Sequence, residues 1–212
     1  MDKLEEGCYY HIYNRGVGKA DIFWSKKDYA KLLEKYFYYL FISVNTYSYC
    51  LLKNHFHFLI RVRTISEQER MFESVKENYS TGSFYGDNYS EFNPLSVSTQ
   101  FRHLFNSYTR FINTKLGRSG TLFEGTFKRI RINDEDHFNH MVCYIHRNPI
   151  HHRITKNYRE YPYSSYKYFV SDIDDDTFLD QHKVLSNFGG IRNFIEAHDE
   201  FKRMLGNDFY LE

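Results

Sequence analysis

The feature that most limits how this chain can fold is a strict alternation of side chains that begins at His55. Every second residue of the segment 55–62 is apolar: Phe56, Phe58, Ile60 and Val62. A period of two residues is typical of a β-strand with one buried face. We therefore expect the apolar side of this strand to pack on helices. The other side, which carries His55 and His57, is expected to lie on an open face of a sheet.

Two imidazoles one pleat apart on the same face can both reach a single small ligand. Imidazole nitrogens are common ligands of divalent metal ions, so a metal site is one interpretation of His55 and His57. The His-x-His pattern is also short enough to arise by chance on a strand. This segment by itself leaves both interpretations open.

The rest of the chain predicts a sheet around this strand. Segments rich in β-formers predict three further strands at 8–14, 46–52 and 126–132. Apolar periodicity predicts helices at 25–41, 97–115 and 133–146, with Ser25 and Asn133 as N-caps. The order β-α-β-β-α-β, followed by a third helix, predicts the α+β class with a ferredoxin-like, RRM-like antiparallel sheet. In this arrangement the His strand is central, and the third helix can cross the open face.

The third predicted helix carries a candidate nucleophile. Tyr144 and Asn148 are four residues apart, so they lie on one face of that helix. If this face turns toward the His strand, the Asn148 oxygen joins His55 and His57 as a third ligand of a divalent ion. The phenol of Tyr144 would then lie beside a polarised phosphate, where it could attack and form a phosphotyrosine. The alternative is that Tyr144 is one packing residue among 20 tyrosines and that the helix ends at Asn148.

Charge is segregated along the chain although the formal net charge is only +1. Seven Lys or Arg residues face a single Glu between positions 101 and 131, and such a stretch interleaved with aromatics is typical of nucleic-acid contacts. Two glycines between two cations, at 15–19, predict either a phosphate-binding loop or a simple turn. The candidate nucleic-acid contacts are all cations: Arg15, Lys19, Arg110, Arg118, Lys128, Arg129, Arg131 and Arg147.

Cysteine usage and apolar runs indicate where the protein resides. The three cysteines show no Cys-x-x-Cys spacing, which is typical of packing thiols in a reducing compartment. The longest apolar run, at 36–44, is too short to span a bilayer. We therefore expect a cytoplasmic protein with no membrane partner.

Four motifs in order resemble one family. They are His-Phe-His at 55–57, Gly-Arg-Ser-Gly-Thr-Leu-Phe-Glu-Gly at 117–125, Tyr-Ile-His-Arg-Asn-Pro at 144–149 and Tyr-Pro-Tyr-Ser-Ser-Tyr at 161–166. In type and spacing they are similar to the motifs of single-tyrosine HUH transposases, most of all the REP-associated tyrosine transposases. The resemblance covers roughly residues 8–168. One departure is Lys53, which stands where the family commonly has Pro.

The resemblance implies a DNA transposase that cleaves and rejoins single-stranded DNA next to hairpins. It implies Tyr144 as the nucleophile, His55 and His57 as metal ligands, and Asn148 as a weaker third ligand. The family uses Mg²⁺ or Mn²⁺. Its members act as dimers or as monomers, so both oligomeric states stay open. Two alternatives also stay open: a binding module for nucleic-acid hairpins that no longer cuts, and a phosphodiesterase that uses water.

The predicted domain organisation has a core and two additions. The HUH single-tyrosine domain is expected at 1–170. Residues 64–96 are rich in acidic side chains and contain Gly82, Gly86 and Pro94, so they predict a long acidic insertion without regular periodicity. Residues 171–212 predict a helical C-terminal appendage that docks on the core or helps to hold DNA.

Overall fold

The computed structural model of the protein describes residues 3–78, 92, 94–171 and 178–204. Its four strands are β1 (Tyr9–Arg15), β2 (Val44–Leu52), β3 (His55–Val62) and β4 (Lys128–Ile132). Its seven α-helices are α1 (Lys26–Leu40), α2 (Ile65–Asn78), α3 (Val97–Leu116), α4 (Glu135–His151), α5 (Tyr166–Val170), α6 (Gln181–Asn187) and α7 (Ile191–Met204). Within these ranges, no helix has both the length and the apolar character needed to cross a membrane.

The strands form one antiparallel sheet in the order β2-β3-β1-β4. This order confirms the predicted ferredoxin-like arrangement, in which β3 and β1 are central. The register places Arg15 opposite His55 and Tyr13 opposite His57. Directly paired residues of antiparallel strands share one face, so β1 adds a cation and an aromatic ring to the face that carries the histidines.

Helices α1 and α3 cover the apolar face of the sheet, as the alternation in β3 predicts. The ring of Tyr36 stacks on Phe58 with centroids 4.3 Å apart, and Phe105 stacks on Phe56 at 5.1 Å. Helix α1 begins after its predicted N-cap, Ser25, which forms a capping box with Asp28. Burial of these rings removes a large apolar area from water and holds β3 against the helices.

Helix α4 crosses the opposite face, where Phe138 packs edge-on against Tyr9 and Tyr47 at 5.7 and 5.2 Å. The predicted N-cap and C-terminus of this helix were both wrong. The cap is Asp134, which accepts a hydrogen bond from the His137 N–H, and the helix continues through Pro149 to His151. Pro149 removes one backbone N–H from the last turn, but the His152 N–H still donates to the Asn148 carbonyl, so the helix continues past the proline.

The first part of the acidic insertion is regular, in contrast to the prediction. Residues 65–78 form α2, which starts with a Thr64–Glu67 capping box: Thr64 N–H donates to the Glu67 carboxylate, and Glu67 N–H donates to Oγ1 of Thr64. Arg61 of β3 also pairs with Glu67 at 3.0 Å. The remaining insertion residues 79–91 and 93 lie outside the described residues.

The C-terminal segment is helical, as expected of the appendage, and contains α6 and α7. Helix α7 packs on α4: its Phe201 ring lies 4.8 Å from His140, and the carbonyl of its His198 accepts a hydrogen bond from Arg147. The segment therefore docks on the face of α4 that points away from the sheet. The acidic residues 172–177 and the chain beyond residue 204 lie outside the described ranges.

Candidate metal and nucleic-acid site

A pocket of about 170 Å³ opens where β1 and β3 meet their connecting loops. Two of the three predicted metal ligands, His55 and His57, line it, whereas Asn148 does not. Three of the eight predicted DNA contacts line it as well: Arg15, Lys19 and Lys128. The pocket thus combines imidazole nitrogens with cations, which is the chemistry expected of a site for a metal-bound phosphate.

The tautomer of His55 follows from its neighbour Asn54. The Asn54 Nδ2 donates to the carbonyl oxygen of Lys19 at 3.2 Å, which turns its Oδ1 toward the Nδ1 of His55 at 2.6 Å. An amide oxygen can only accept, so Nδ1 of His55 carries the proton. In the neutral ring, Nε2 of His55 then keeps its lone pair, as a metal ligand requires.

His11 of β1 contacts His57 and was not identified from the sequence. Its Nε2 lies 2.9 Å from Nδ1 of His57, and the two rings stack with centroids 5.1 Å apart. Both side chains are almost fully buried. A histidine that binds a metal through one nitrogen is commonly oriented by a hydrogen bond at the other, and His11 has that position relative to His57. The alternation Tyr9, His11, Tyr13 along β1 was the available signal.

A second unpredicted histidine, His152, contacts His55. The Nε2 atoms of the two rings lie 3.2 Å apart. His152 is the C-cap of α4, so it reaches the pocket because the helix extends beyond its predicted end. The predicted helix ended before His152, so the sequence analysis did not extend the four-residue spacing of Tyr144 and Asn148 to this residue.

Tyr144 and Asn148 lie behind the pocket. The ring of Tyr144 contacts His57 edge-on at 5.9 Å and His11 at 6.1 Å, so the tyrosine helix does turn toward the His strand. Tyr144 is only 4% exposed and Asn148 is fully buried, and neither lines the pocket. The Asn148 Nδ2 donates to the Tyr144 carbonyl at 3.3 Å, whereas its Oδ1 is buried with no hydrogen-bond partner within the described part of the chain.

The predicted DNA contacts divide into three groups. Lys128, Arg15 and Lys19 line the His pocket, where Arg15 forms an ion pair with Glu124. Four others, Arg110, Arg118, Arg129 and Arg131, lie elsewhere on the surface; the β1–β4 register puts Arg129 and Arg131 on the opposite side of the sheet from Lys128.

Arg147 forms the third group by itself, because it is buried. Its guanidinium donates to the His198 carbonyl at 2.6 Å and lies 4.9 Å above the ring of Tyr158. It ties α7 to α4 and does not contribute to an exposed basic surface.

The far side of the tyrosine helix contains a buried hydrogen-bond chain. The Nδ1 of His198 donates to the Phe194 carbonyl at 2.7 Å, so its Nε2 accepts from Nδ1 of His146 at 2.8 Å, and the Nε2 of His146 accepts from Oγ of Ser165 at 2.8 Å. Burial, with a smaller effect of His198, lowers the pKa of His146 well below its ordinary value. Burial, with a smaller effect of nearby Arg147, lowers the pKa of His198 to about 4. Both rings are therefore neutral at pH 7.

The donor set fits a divalent cation with mixed nitrogen and oxygen ligands. Three features are typical of metal ligands. They are the lone pair on His55 Nε2, the contact of His57 with His11, and the buried Asn148 oxygen without a hydrogen-bond partner in the described part of the chain. No three His, Cys, Asp or Glu side chains among the described residues already converge on one point. The expected set differs from such a cluster, because its third member is an amide.

Comparison with known proteins supports the fold. No family model and no curated protein matches the chain. A solved structure of a REP-associated tyrosine transposase bound to a REP hairpin is similar to it, with a TM-score of 0.56 and 13% sequence identity over 85% of this chain and 95% of that chain. The likeness at this identity concerns the fold. The chain therefore shares the fold of a REP-associated tyrosine transposase, the group that its motifs resemble.

Proposed function

We propose that this protein is a transposase that cleaves and rejoins single-stranded DNA next to hairpins through a covalent bond to Tyr144. The observation that carries the proposal is the edge contact of the Tyr144 ring with His57, 5.9 Å between centroids, directly behind a pocket that holds His55 and three cations. The Tyr144 ring also contacts His11, which lies against His57, so the phenol is close to the histidines that would hold and orient a metal ion. The hairpin-bound transposase of the same fold adds weight to this choice of substrate.

In the proposed reaction, the Tyr144 oxygen attacks the phosphorus of a DNA phosphate in line with the 3′ oxygen on its other side. The new bond is a 5′-phosphotyrosine, the bond to the 3′ oxygen breaks, and the proton of the phenol passes to solvent or to the leaving oxygen. One phosphoester replaces another, so the reverse attack by a 3′ hydroxyl rejoins the strand without a nucleotide cofactor.

His55, His57 and the Asn148 oxygen are the residues that would hold Mg²⁺ or Mn²⁺. Such an ion supplies Lewis-acid polarisation of a phosphate oxygen. The protein's part is to keep the ligand nitrogens in the correct tautomer. Asn54 does this for His55, and His11 has the matching position for His57.

The cations of the pocket are proposed to bind the phosphates that flank the reacting one. Lys19, Lys128 and Arg15 surround the same cavity as the histidines. Tyr13 also lines it. Its ring stacks 4.9 Å from His11 and lies 5.9 Å from the Lys128 ammonium, so a base that contacts this ring would lie beside the phosphate that Lys128 binds. Because Tyr144 is buried, attack also requires that its hydroxyl become accessible when DNA enters.

The test is a covalent-adduct assay with labelled single-stranded hairpin oligonucleotides from DNA that flanks the gene, in the presence of Mn²⁺. We expect the wild-type protein to give a band that resists denaturant, and Tyr144→Phe to bind the hairpin without forming it. Tyr168→Phe, which removes the hydroxyl of a tyrosine on α5, is the matched control and should form the adduct. An adduct of undiminished yield with Tyr144→Phe would refute the proposal.

The burial of Tyr144 favours one alternative, a hairpin-binding module that does not cut. This alternative expects binding without adduct or cleavage by the wild-type protein, over a range of metal ions. Cleavage without any adduct, retained in Tyr144→Phe, would instead indicate a phosphodiesterase that uses water.

A further inference from the structure

The contact between His55 and His152 has the geometry of two ligands of one ion. Two imidazole nitrogens bound at about 2.1 Å lie about 3.0 Å apart at a right angle and about 3.4 Å apart at a tetrahedral angle. The Nε2 atoms of His55 and His152 are 3.2 Å apart. Asn54 holds the ring proton of His55 on Nδ1, so the lone pair of His55 faces His152.

The position of His152 on α4 supports the same role. Tyr144, Asn148 and His152 follow one another at intervals of four residues, so they form one stripe along the helix and its cap. The stripe begins beside His57 and ends beside His55. His152 also lines the pocket with both histidines of β3, whereas Asn148 does not.

We propose that His152 is a metal ligand that holds a divalent cation together with His55. The inference rests on the proposed metal site and adds a residue to it. His55 and His152 are already at ligand spacing, and His57 would have to move toward the ion, because no three such side chains of the described residues converge. In the metal-free protein, the His152 N–H can donate to the lone pair of His55. Binding of the cation requires His152 to carry its proton on Nδ1, so that both nitrogens face the ion.

An additional imidazole changes which ion the site prefers. Imidazole ligands suit transition metals such as Zn²⁺ and Fe²⁺, whereas Mg²⁺ favours oxygen ligands. Among the transition metals, the affinity for one site rises from Mn²⁺ to Co²⁺. We therefore expect the protein to bind Mn²⁺ and Co²⁺ more tightly than Mg²⁺. This order should depend on the side chain at position 152.

The experiment measures Mn²⁺ binding to the full chain by calorimetry and by pulsed EPR, which detects bound imidazole nitrogens. His152→Phe keeps an aromatic ring against His55 and removes both nitrogens. Removal of a residue that only hydrogen-bonds to a metal ligand weakens metal binding about 10- to 100-fold. We expect His152→Phe to weaken Mn²⁺ binding by at least this factor and to show fewer nitrogen couplings. His103→Phe, which changes an exposed histidine of α3, is the matched control and should bind as the wild type does.

A carboxylate at position 152 provides a second variant. His152→Glu restores a ligand, so it should recover Mn²⁺ binding relative to His152→Phe and shift the preference toward Mg²⁺. Circular dichroism checks that each variant is folded.

The outcomes separate this inference from the proposed function. Suppose that His152→Phe binds Mn²⁺ at least as tightly as the wild type, with the same nitrogen couplings, and that His55→Ala has lost binding. The role of His152 is then refuted, and the proposed metal site at His55 and His57 is retained. If His55→Ala also binds as the wild type does, the proposed metal site itself is refuted.

Discussion

The Nε2 atom of His11 lies 2.9 Å from the Nδ1 atom of His57, so a buried side chain of β1 contacts a candidate ligand on β3. When Nδ1 of His57 donates to His11, Nε2 of His57 keeps its lone pair for a ligand. His11 is then a positioning residue, which acts on the metal through His57.

We expect His11→Phe to weaken Mn²⁺ binding about 10- to 100-fold, because the His57 ring loses the bond that sets its orientation and tautomer. His11→Gln keeps an acceptor oxygen and should lose less. Titration calorimetry of the two variants checks this order. Equal affinities for His11→Phe and wild type would show that His57 is oriented by other contacts.

Gly16 allows the backbone to approach Ala20 closely in the loop that carries Lys19 into the pocket. A Cβ at this position would lie 2.0 Å from the Ala20 carbonyl oxygen and 3.1 Å from a methyl of Ile22. Gly16→Ala must shift the backbone that carries Lys19, at a cost of about 1–3 kcal/mol in the free energy of unfolding.

Gly18→Ala is the matched comparison for that loop. Position 18 has open space but a φ of 59°, so its cost is the left-handed conformation, about 1–2 kcal/mol. We expect Gly16→Ala to reduce hairpin affinity more than Gly18→Ala at similar stability. Urea unfolding and filter binding measure the two quantities. A larger loss of affinity with Gly18→Ala would contradict the argument from the close approach.

Lys128 and Arg147 are both cations of the predicted set, and they should behave differently. Lys128→Gln removes a side chain of the pocket and should lower the slope of log K against log salt by about one, the value for one phosphate contact. Arg147→Gln should leave the slope unchanged and destabilise the fold by about 1–3 kcal/mol, because the buried His198 carbonyl loses its donor. If Arg147→Gln reduced the slope and Lys128→Gln did not, Arg147 and not Lys128 would be the residue that contacts a phosphate.

The buried His146–His198 pair predicts a loss of stability in mild acid. Both pKa values are lowered in the folded state, so the unfolded chain binds more protons as the pH falls below about 6.5. The free energy of unfolding should therefore decrease from about pH 6.5 toward pH 4, by on the order of a few kcal/mol.

Substitution of one ring tests this assignment. Urea unfolding at several pH values should show a weaker pH dependence for His146→Gln than for the wild type, because one titrating group is removed. Cys143, Arg147, Arg159 and Asp199, which contact or face the pair, are unchanged in this comparison. An equal pH dependence in both proteins would assign the effect to other groups.

Local sequence patterns predicted most of the fold because local physics decides those features. The alternation in β3 determines which face of the strand is apolar, and the Ser25–Asp28 capping box marks the start of α1. Gly117 ends α3 because it adopts a left-handed φ of 60°. The Thr64–Glu67 capping box was equally readable, and the acidic composition of the following residues obscured it.

The contacts among the site residues join segments that are distant in the sequence, so only the tertiary structure shows them. The sequence pointed to His55, His57 and Tyr144, but His11 and His152 reach these residues through strand pairing and through the extension of α4 past Pro149. The sequence predicted Arg147 as a surface cation, whereas in the structure α7 covers it. Charge and residue type are properties of the chain, whereas burial and partners arise only when the elements pack.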